Sequence, residues 1–262
     1  MLRLKAVWLA GLAAFAGLLL AAPAHAVPLL QLYIEGATYN QSTDTWELDR
    51  PIDQPLRLWT IGNVAGPGGK GTIFDAKLAI SYESAFGGSP SFVLTPSTTN
   101  GLGGFTDPST AASPTFLGLH TDGAAPVLPD GSSLAPHGVF GAGTYWQEFA
   151  LGNFSLTDSP IADFISDFPT APPNASGQIN VYEIAVSGVP VGGWIHFDLY
   201  GAYMQGSKLK AVFAPYSHDA GNQVQVSEPG TLALLGGALL LLAGLSWRRR
   251  GLPPLSRLSP RS

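Results

Sequence analysis

The stretch WIHFDLYG, residues 194–201, decides the fold more clearly than any other part of the sequence. Its apolar residues Ile195, Phe197 and Leu199 occupy every second position, and polar or aromatic residues fill the positions between them. Successive side chains of an extended strand point to opposite faces. The spacing therefore predicts a strand with one face against a core and the other toward solvent.

The same spacing, or a short apolar run of strand length, recurs along the region 27–226. These runs occupy residues 30–35, 56–61, 77–82, 92–94, 145–151, 179–186 and 209–214. Clusters of Gly and Pro separate them and indicate turns, and no helical period lasts beyond a turn or two at 159–168. Since such strands must bury one sheet against another, we predict an all-β fold, an antiparallel, jelly-roll-like β-sandwich.

One segment, residues 95–144, interrupts this rhythm. It is rich in Ser, Thr, Gly and Pro and nearly free of Lys and Arg. Loops of this length in a compact domain are usually either functional or disordered. We predict one long loop here that stays within the domain, because the strand pattern resumes directly after it.

The first 26 residues have the three parts of a secretory signal peptide. Arg3 and Lys5 form a basic start, an apolar run follows, and the segment closes with small residues at Ala24 and Ala26. These are the positions that signal peptidase recognises. We predict a signal helix over 1–26 and a mature chain that begins at Val27.

The opposite end of the chain contains a second apolar segment, Thr231–Trp247, which has 17 residues without a charge. A helix of that length is roughly 25 Å long, just short of the bilayer's hydrocarbon layer. Arg248, Arg249 and Arg250 follow at once and indicate a cytoplasmic end. We predict a membrane helix at 231–247, a cytoplasmic tail at 251–262, and an exported domain at 27–226 outside the inner membrane.

Composition excludes several classes of function for the exported region. Seven of the 13 Lys and Arg residues lie outside 27–226, but only one of the 18 Asp and Glu residues does. The region therefore has a formal charge of about −11, which argues against nucleic acid as a partner. The chain has no cysteine, so disulfides, thiol catalysis and thiolate metal sites are excluded.

Histidines are the main candidates for a binding site. Four remain after removal of the signal peptide: His120, His137, His196 and His218. Strand alternation places His196 and Asp198 on one face, His218 precedes Asp219, and His120 has the same spacing to Asp122. Imidazoles and carboxylates together suit a divalent metal such as zinc. The alternative is that His196 and Asp198 are ordinary partners on a solvent-facing strand surface.

Aromatic residues offer a second kind of candidate site. Six of them could stack on sugar rings if they were exposed: Trp46, Trp59, Trp146, Trp194, Tyr200 and Tyr203. The alternative is that most of them pack in the core.

The C-terminal segment resembles the PEP-CTERM sorting signal of Gram-negative bacteria that make extracellular polysaccharide. That signal has a Pro-Glu-Pro motif, an apolar helix and an Arg-rich end, and it is processed by an exosortase. Here the motif is Ser227-Glu228-Pro229, so Ser227 replaces the first Pro. The resemblance implies an exosortase as partner, transient anchoring in the inner membrane, and a final place in the cell envelope or outside the cell.

The exported region also resembles the choice-of-anchor N proteins. Four blocks carry this resemblance: VPLLQLYIEGATYN (27–40), LAPHGVF (134–140), WIHFDLYG (194–201) and FAPYSHDA (213–220). Three of the four mature histidines lie inside these blocks, and we therefore expect them to share a site. No activity follows from this resemblance.

We therefore expect a secreted, non-enzymatic envelope or extracellular-matrix protein. One alternative is a module that binds exopolysaccharide through exposed aromatic residues. Another is a metal-binding or hydrolytic protein that uses His137, His196 and His218 with a neighbouring aspartate.

Overall fold

The computed structural model describes residues 27–43, 45–48, 54–65, 68–105, 111–135, 137, 139–165, 175–190, 192–215 and 219–223. The predicted signal helix, the sorting motif, the membrane helix and the tail all lie outside these residues. Within them, no helix has the length and apolar character needed to cross a membrane. The chain divides into two compact units, 1–224 and 225–262, and the fold below belongs to the first.

The described part of the chain forms thirteen strands and two short 3₁₀ helices. The strands are β1 (Leu30–Ile34), β2 (Thr38–Asn40), β3 (Thr45–Leu48), β4 (Leu56–Ala65), β5 (Ile73–Glu83), β6 (Ser91–Ser97), β7 (Thr115–His120), β8 (Thr144–Phe154), β9 (Ser159–Ile161), β10 (Ala175–Ser187), β11 (Trp194–Gln205), β12 (Lys208–Phe213) and β13 (Asp219–Gln223). The 3₁₀ helices are Ser84–Phe86 and Leu102–Gly104.

The strands form two sheets. The five-stranded sheet has the order β1-β4-β10-β6, with β9 also paired to β10. The eight-stranded sheet has the order β2-β3-β13-β11-β5-β8-β7, with β12 also paired to β11. The strands pair antiparallel in every pairing of the described residues except that of β3 with β13, which is parallel.

One apolar core holds the two sheets together. Leu32, Leu58 and Val181 of the five-stranded sheet belong to the same buried cluster as Ile80 and Phe197 of the eight-stranded sheet. Burial of such side chains on both inner faces is the main stabilising contribution in a sandwich. The predicted all-β, antiparallel β-sandwich is confirmed.

Strand β1 differs from the prediction in one respect, because both of its faces are buried. The alternation at 30–35 predicts a polar, solvent-facing side, yet Gln31 is fully buried. Its side-chain nitrogen donates to the carbonyl oxygen of Ala162 at 3.0 Å, and its side-chain oxygen accepts from the backbone N–H of Phe164 at 3.0 Å. The chain that follows β9 therefore covers this face and satisfies its polar group.

The segment predicted as one long loop, residues 95–144, is not loop throughout. It contains the end of β6, the second 3₁₀ helix and β7, which pairs with β8 at the edge of the eight-stranded sheet. We call the part after β7, residues 121–143, the covering segment. Its Leu128, Leu134 and Phe140 pack on Ala79, Trp146 and Tyr200 of the sheet in a second apolar cluster.

Tyr182, in the centre of β10, provides a prediction about alkaline stability. Burial raises the pKa of this fully buried phenol to about 12 from an ordinary value of 10.0. Its stabilising contribution is complete below pH 10 and is lost as the pH rises from about 10 to about 12, by about 2–3 kcal/mol.

We expect the unfolding free energy, measured by urea titration, to fall across this pH range. The fall should be less steep in Tyr182→Phe, although the raised pKa values of other tyrosines leave part of it in place. Identical pH profiles for wild type and variant would contradict this assignment.

Candidate functional site

Three side chains converge between the covering segment and the eight-stranded sheet. His196 and Asp198 are two residues apart in β11 and therefore project from the same face of the sheet. His137 reaches them from the covering segment. Each residue offers one metal-ligating atom, and these atoms all lie within 4.8 Å of one another. We call these three residues the His-His-Asp cluster.

The cluster is tight. His137 Nε2 lies 3.0 Å from Asp198 Oδ1 and 3.2 Å from His196 Nε2. His196 Nε2 lies 3.6 Å from Asp198 Oδ2. Such close approach of two ring nitrogens and a carboxylate means that positive charge, as protons or as a metal ion, is needed among them.

The cluster is also largely removed from solvent. The side chains of His137, His196 and Asp198 are 11%, 10% and 3% exposed. The neighbours of β11 leave room for this arrangement, because His196 lies beside Ser81 on one side and Gly221 on the other. Asp198 lies beside Ala79. These small residues allow the covering segment to bring its imidazole down to the sheet.

The backbone of the covering segment orients the His137 ring. His137 Nδ1 lies 3.1 Å from the carbonyl oxygen of Ala135. A carbonyl oxygen only accepts hydrogen bonds, so Nδ1 is the nitrogen that carries the proton in the neutral ring. Nε2 then faces Asp198 at 3.0 Å, where it donates a hydrogen bond to the carboxylate when the ring is protonated and offers a lone pair to a metal ion when that second proton is lost. A carbonyl that holds the far nitrogen in this way is typical of histidines that bind metals.

Asp198 is ionised in this environment. Burial alone raises its pKa, but the neighbouring His196 and His137 outweigh burial and hold the pKa of this carboxyl below its ordinary value. One of its oxygens, Oδ2, is buried without a hydrogen-bond partner. A buried carboxylate oxygen left in this state is uncommon and requires an explanation.

Glu148 forms a second polar cluster on the same face of the sheet. Its Oε1 accepts a hydrogen bond from the Tyr200 hydroxyl at 2.6 Å and lies 3.4 Å from Lys77 Nζ. Its Oε2 lies 3.5 Å from His120 Nε2. Burial and the adjacent Glu148 raise the pKa of Tyr200. This cluster was not among the predicted sites, although strand alternation across YWQEFAL places Glu148 on one face with Trp146.

His137 and His196 meet as the predicted shared site requires, and the part of that prediction that concerns His218 stays a prediction. His120 stacks on the Trp146 ring, with centroids 3.7 Å apart and an interplanar angle of 8°. The Asp122 carboxylate, predicted as its partner by spacing, accepts instead from the backbone N–H of Gly143 at 2.5 Å. His218 lies outside the described residues. Asp219 is placed by its backbone alone, at the start of β13 beside Thr45.

The alternative prediction, that His196 and Asp198 are partners on a solvent-facing surface, is therefore wrong, because both side chains are buried. Strand alternation correctly assigns them to one face, but the covering segment buries that face. The second face of a strand is exposed only when no other part of the chain covers it.

Four of the six candidate aromatic residues pack in the protein interior and two are partly exposed. Trp46, Trp59, Trp146 and Tyr200 are buried, and Trp194 and Tyr203 are partly exposed. A binding platform of stacked rings requires exposed ring faces. The predicted platform is therefore wrong for the four buried residues.

Comparison with protein families identifies the C-terminal segment. Residues 225–250 match the PEP-CTERM protein-sorting motif. The matched range includes Ser227, Glu228, Pro229 and the cluster Arg248–Arg250. The predicted PEP-CTERM sorting signal is confirmed. Membership of the choice-of-anchor N proteins stays a prediction.

Similarity elsewhere in the chain is slight. No functionally characterised protein matches it. Two solved structures are similar over 75% of this chain: the C-terminal domain of the Streptococcus agalactiae AgI/II polypeptide BspA, wild type, and a second structure titled BspA_C_WT. Both have 10% sequence identity and a TM-score of 0.24, and the match spans 50% of their length.

Proposed function

We propose that this PEP-CTERM protein is a non-enzymatic component of the cell envelope or extracellular matrix of a Gram-negative bacterium. The observation that carries the proposal is the match of residues 225–250 to the sorting motif. The motif implies processing by an exosortase, so the exported domain reaches its place only after the chain has crossed the inner membrane. Exopolysaccharide in that matrix is a candidate partner.

The order of features in the C-terminal segment supports a temporary anchor. The Arg cluster holds one end of the apolar helix in the cytoplasm. A helix over residues 231–247, as predicted, would be roughly 25 Å long, just short of the hydrocarbon layer, and would place Glu228-Pro229 at the outer interface. A membrane protease can reach a motif in that position.

The folded domain supports a role outside the cell. Its core is continuous between the two sheets, and it is stabilised without a single cysteine. Its negative charge argues against phosphate backbones as ligands. A stable, acidic β-sandwich is suited to the envelope or matrix, where proteins meet cations, neutral glycans and other proteins.

The processing step can be tested by mass spectrometry of the C-terminal peptides. We expect mature wild-type protein to lack residues 231–262, and Glu228→Ala to retain them and accumulate in the inner-membrane fraction. Ser227→Pro, which restores the full Pro-Glu-Pro motif, is the matched control and should be processed at least as completely as wild type. Recovery of intact residues 231–262 from wild-type protein in its final location would contradict the proposal.

A further inference from the structure

We propose that the His-His-Asp cluster binds one divalent metal ion of the zinc class, and that this ion fastens the covering segment to the eight-stranded sheet. The proposal does not depend on the sorting function. It concerns the three residues that the structure brings together from two distant parts of the chain.

The spacing of the three residues fits a tetrahedral metal. Zinc binds His nitrogens and carboxylate oxygens at about 2.0–2.1 Å, so two ligands of a tetrahedral ion lie about 3.3–3.4 Å apart. His137 Nε2 lies 3.0 Å from Asp198 Oδ1 and 3.2 Å from His196 Nε2, and His196 Nε2 lies 3.6 Å from the other carboxylate oxygen, Oδ2. These distances are close to the tetrahedral separation, so a small rotation of the Asp198 carboxylate is enough to bring one of its oxygens and both imidazole nitrogens onto one metal ion.

The donor atoms are also prepared for a cation. The contact of His137 Nδ1 with Ala135 keeps the proton of the neutral ring on Nδ1, so loss of the other proton frees the Nε2 lone pair, which faces the cluster, for a metal ion. Asp198 Oδ2 is buried without a hydrogen-bond partner and lies 3.6 Å from His196 Nε2. A metal ion satisfies the unpartnered oxygen and replaces the protons of the two imidazoles as the positive charge beside the carboxylate.

The ligand types select the class of metal. Two imidazoles and one carboxylate suit zinc and neighbouring transition metals, whereas calcium and magnesium require six or more oxygen ligands, or several bound waters. Three protein ligands leave a fourth position for water or another group. The surrounding exported domain has a formal charge of about −11, which favours the local concentration of cations.

The position of the cluster indicates what the ion does. His137 and His196 are 59 residues apart, and the ion joins the covering segment directly to β11. The segment also rests on the sheet through the small cluster around Leu128, Leu134 and Phe140, and the carbonyl oxygen of Ala124 accepts a hydrogen bond from Trp146 Nε1 at 3.2 Å. An ion held by ligands that are about nine-tenths buried acts here as a clip, in a chain that has no disulfides.

Metal binding can be tested on mature protein recovered from the exported fraction and stripped with a chelator. Titration calorimetry with Zn²⁺ should show one ion per chain, while Mg²⁺ and Ca²⁺ should show no comparable binding. At a hundredfold excess over Kd, zinc should raise Tm by about 5–10 °C. Co²⁺ should give the visible absorption typical of a tetrahedral site.

Two variants test whether the named residues are the ligands. His137→Gln and Asp198→Asn should each weaken zinc binding by about 100-fold or more, because even residues that only orient a metal ligand contribute about 10–100-fold. His137 lies in the covering segment, so its variant should fold even if the variant at buried Asp198 does not. His120→Gln is the matched control: it changes a histidine on the same sheet face outside the cluster and should bind zinc like wild type.

Limited proteolysis tests the clip itself. Zinc should slow cleavage within residues 121–143 of the wild type and of His120→Gln, but not of His137→Gln. The proposal is overturned if wild-type protein binds no zinc, if His137→Gln binds it normally, or if His120→Gln loses binding equally. Zinc binding without protection of residues 121–143 would overturn the role as a clip.

Discussion

Replacing Gly177 with alanine should reduce the free energy of unfolding by about 3 kcal/mol or prevent folding altogether. Gly177 lies in β10 at a break in its register with β4. A Cβ at this position would overlap the backbone carbonyl of Gly62 and approach Ile161 Cδ1 to 2.8 Å. Because a backbone atom of a central strand cannot move aside as a side chain can, the sheet itself must deform.

Gly118→Ala is the matched control for this experiment. Gly118 also lies in a strand beside a register shift, but the closest atom to its added Cβ is His120 Nε2 at 3.9 Å, an ordinary contact. We expect a change of within about 0.5 kcal/mol for this variant. Urea unfolding followed by circular dichroism measures both. Equal stabilities of the two variants would show that β4 and β10 approach each other less closely than described.

Trp59→Ala should cost about 3–5 kcal/mol of folding free energy. Trp59 is fully buried in β4, and its ring meets those of Tyr33, Phe105 and Phe164 at centroid distances of 5.5, 5.9 and 5.9 Å. Its Nε1 donates a hydrogen bond to Glu35 Oε2 at 3.3 Å. Truncation removes a large buried surface, leaves a cavity among rings that cannot close it, and ends the hydrogen bond.

Trp194→Ala provides the comparison, because Trp194 is partly exposed at the start of β11. We expect it to cost about 1 kcal/mol, the usual size for a substitution outside the core. Trp59→Phe retains a ring, and the folding free energy that it loses should lie between the losses of the two alanine variants. It can still be measured if Trp59→Ala does not fold. A cost for Trp59→Ala no larger than that for Trp194→Ala would contradict the assignment of Trp59 to the core.

The Trp59→Ala and Trp194→Ala variants also distinguish a loss of stability from a loss of glycan binding. If the protein binds exopolysaccharide by stacking, Trp194→Ala should weaken retention on that polysaccharide without unfolding the domain. Loss of retention in Trp59→Ala has no such meaning, because this buried ring offers no face to a sugar. Because Trp46, Trp59 and Trp146 are buried, sugar stacking would depend on the partly exposed Trp194 and Tyr203.

In a chain without cysteine, the proposed metal clip would cross-link two distant segments where a disulfide cannot form. Many exported proteins cross-link distant segments with disulfides, which form readily outside the cytoplasm. This chain cannot do so. A metal bound between His137 and β11 is the other common cross-link, and it stabilises the folded state by the free energy of binding.

For strand β11, the sequence predicted the secondary structure but not the burial. The alternation in WIHFDLYG correctly predicts a strand and correctly places His196 and Asp198 on one face, because strand geometry has a period of two residues. It does not predict that this face is buried. That outcome depends on Leu128, Leu134 and Phe140, which lie far away in sequence, within a stretch whose composition predicts a loop.

The distances within the candidate site were likewise not predictable from the sequence. The resemblance to a known family placed His137, His196 and His218 in shared blocks. The structure joins His137 and His196 to Asp198, and His218 lies outside the described residues. No local pattern measures the distance between two residues separated by 59 positions. Such a distance follows from the order in which strands pair, which is a property of the whole sheet.

The sequence alone identified the sorting signal, because the signal is contiguous: a motif, an apolar run and an Arg cluster within residues 225–250. It also determined the all-β class, since strand periodicity is local. Only the tertiary structure decided which polar residues meet. Packing of the covering segment on the sheet, driven by burial of its apolar side chains, removes His196 and Asp198 from water and brings His137 to them.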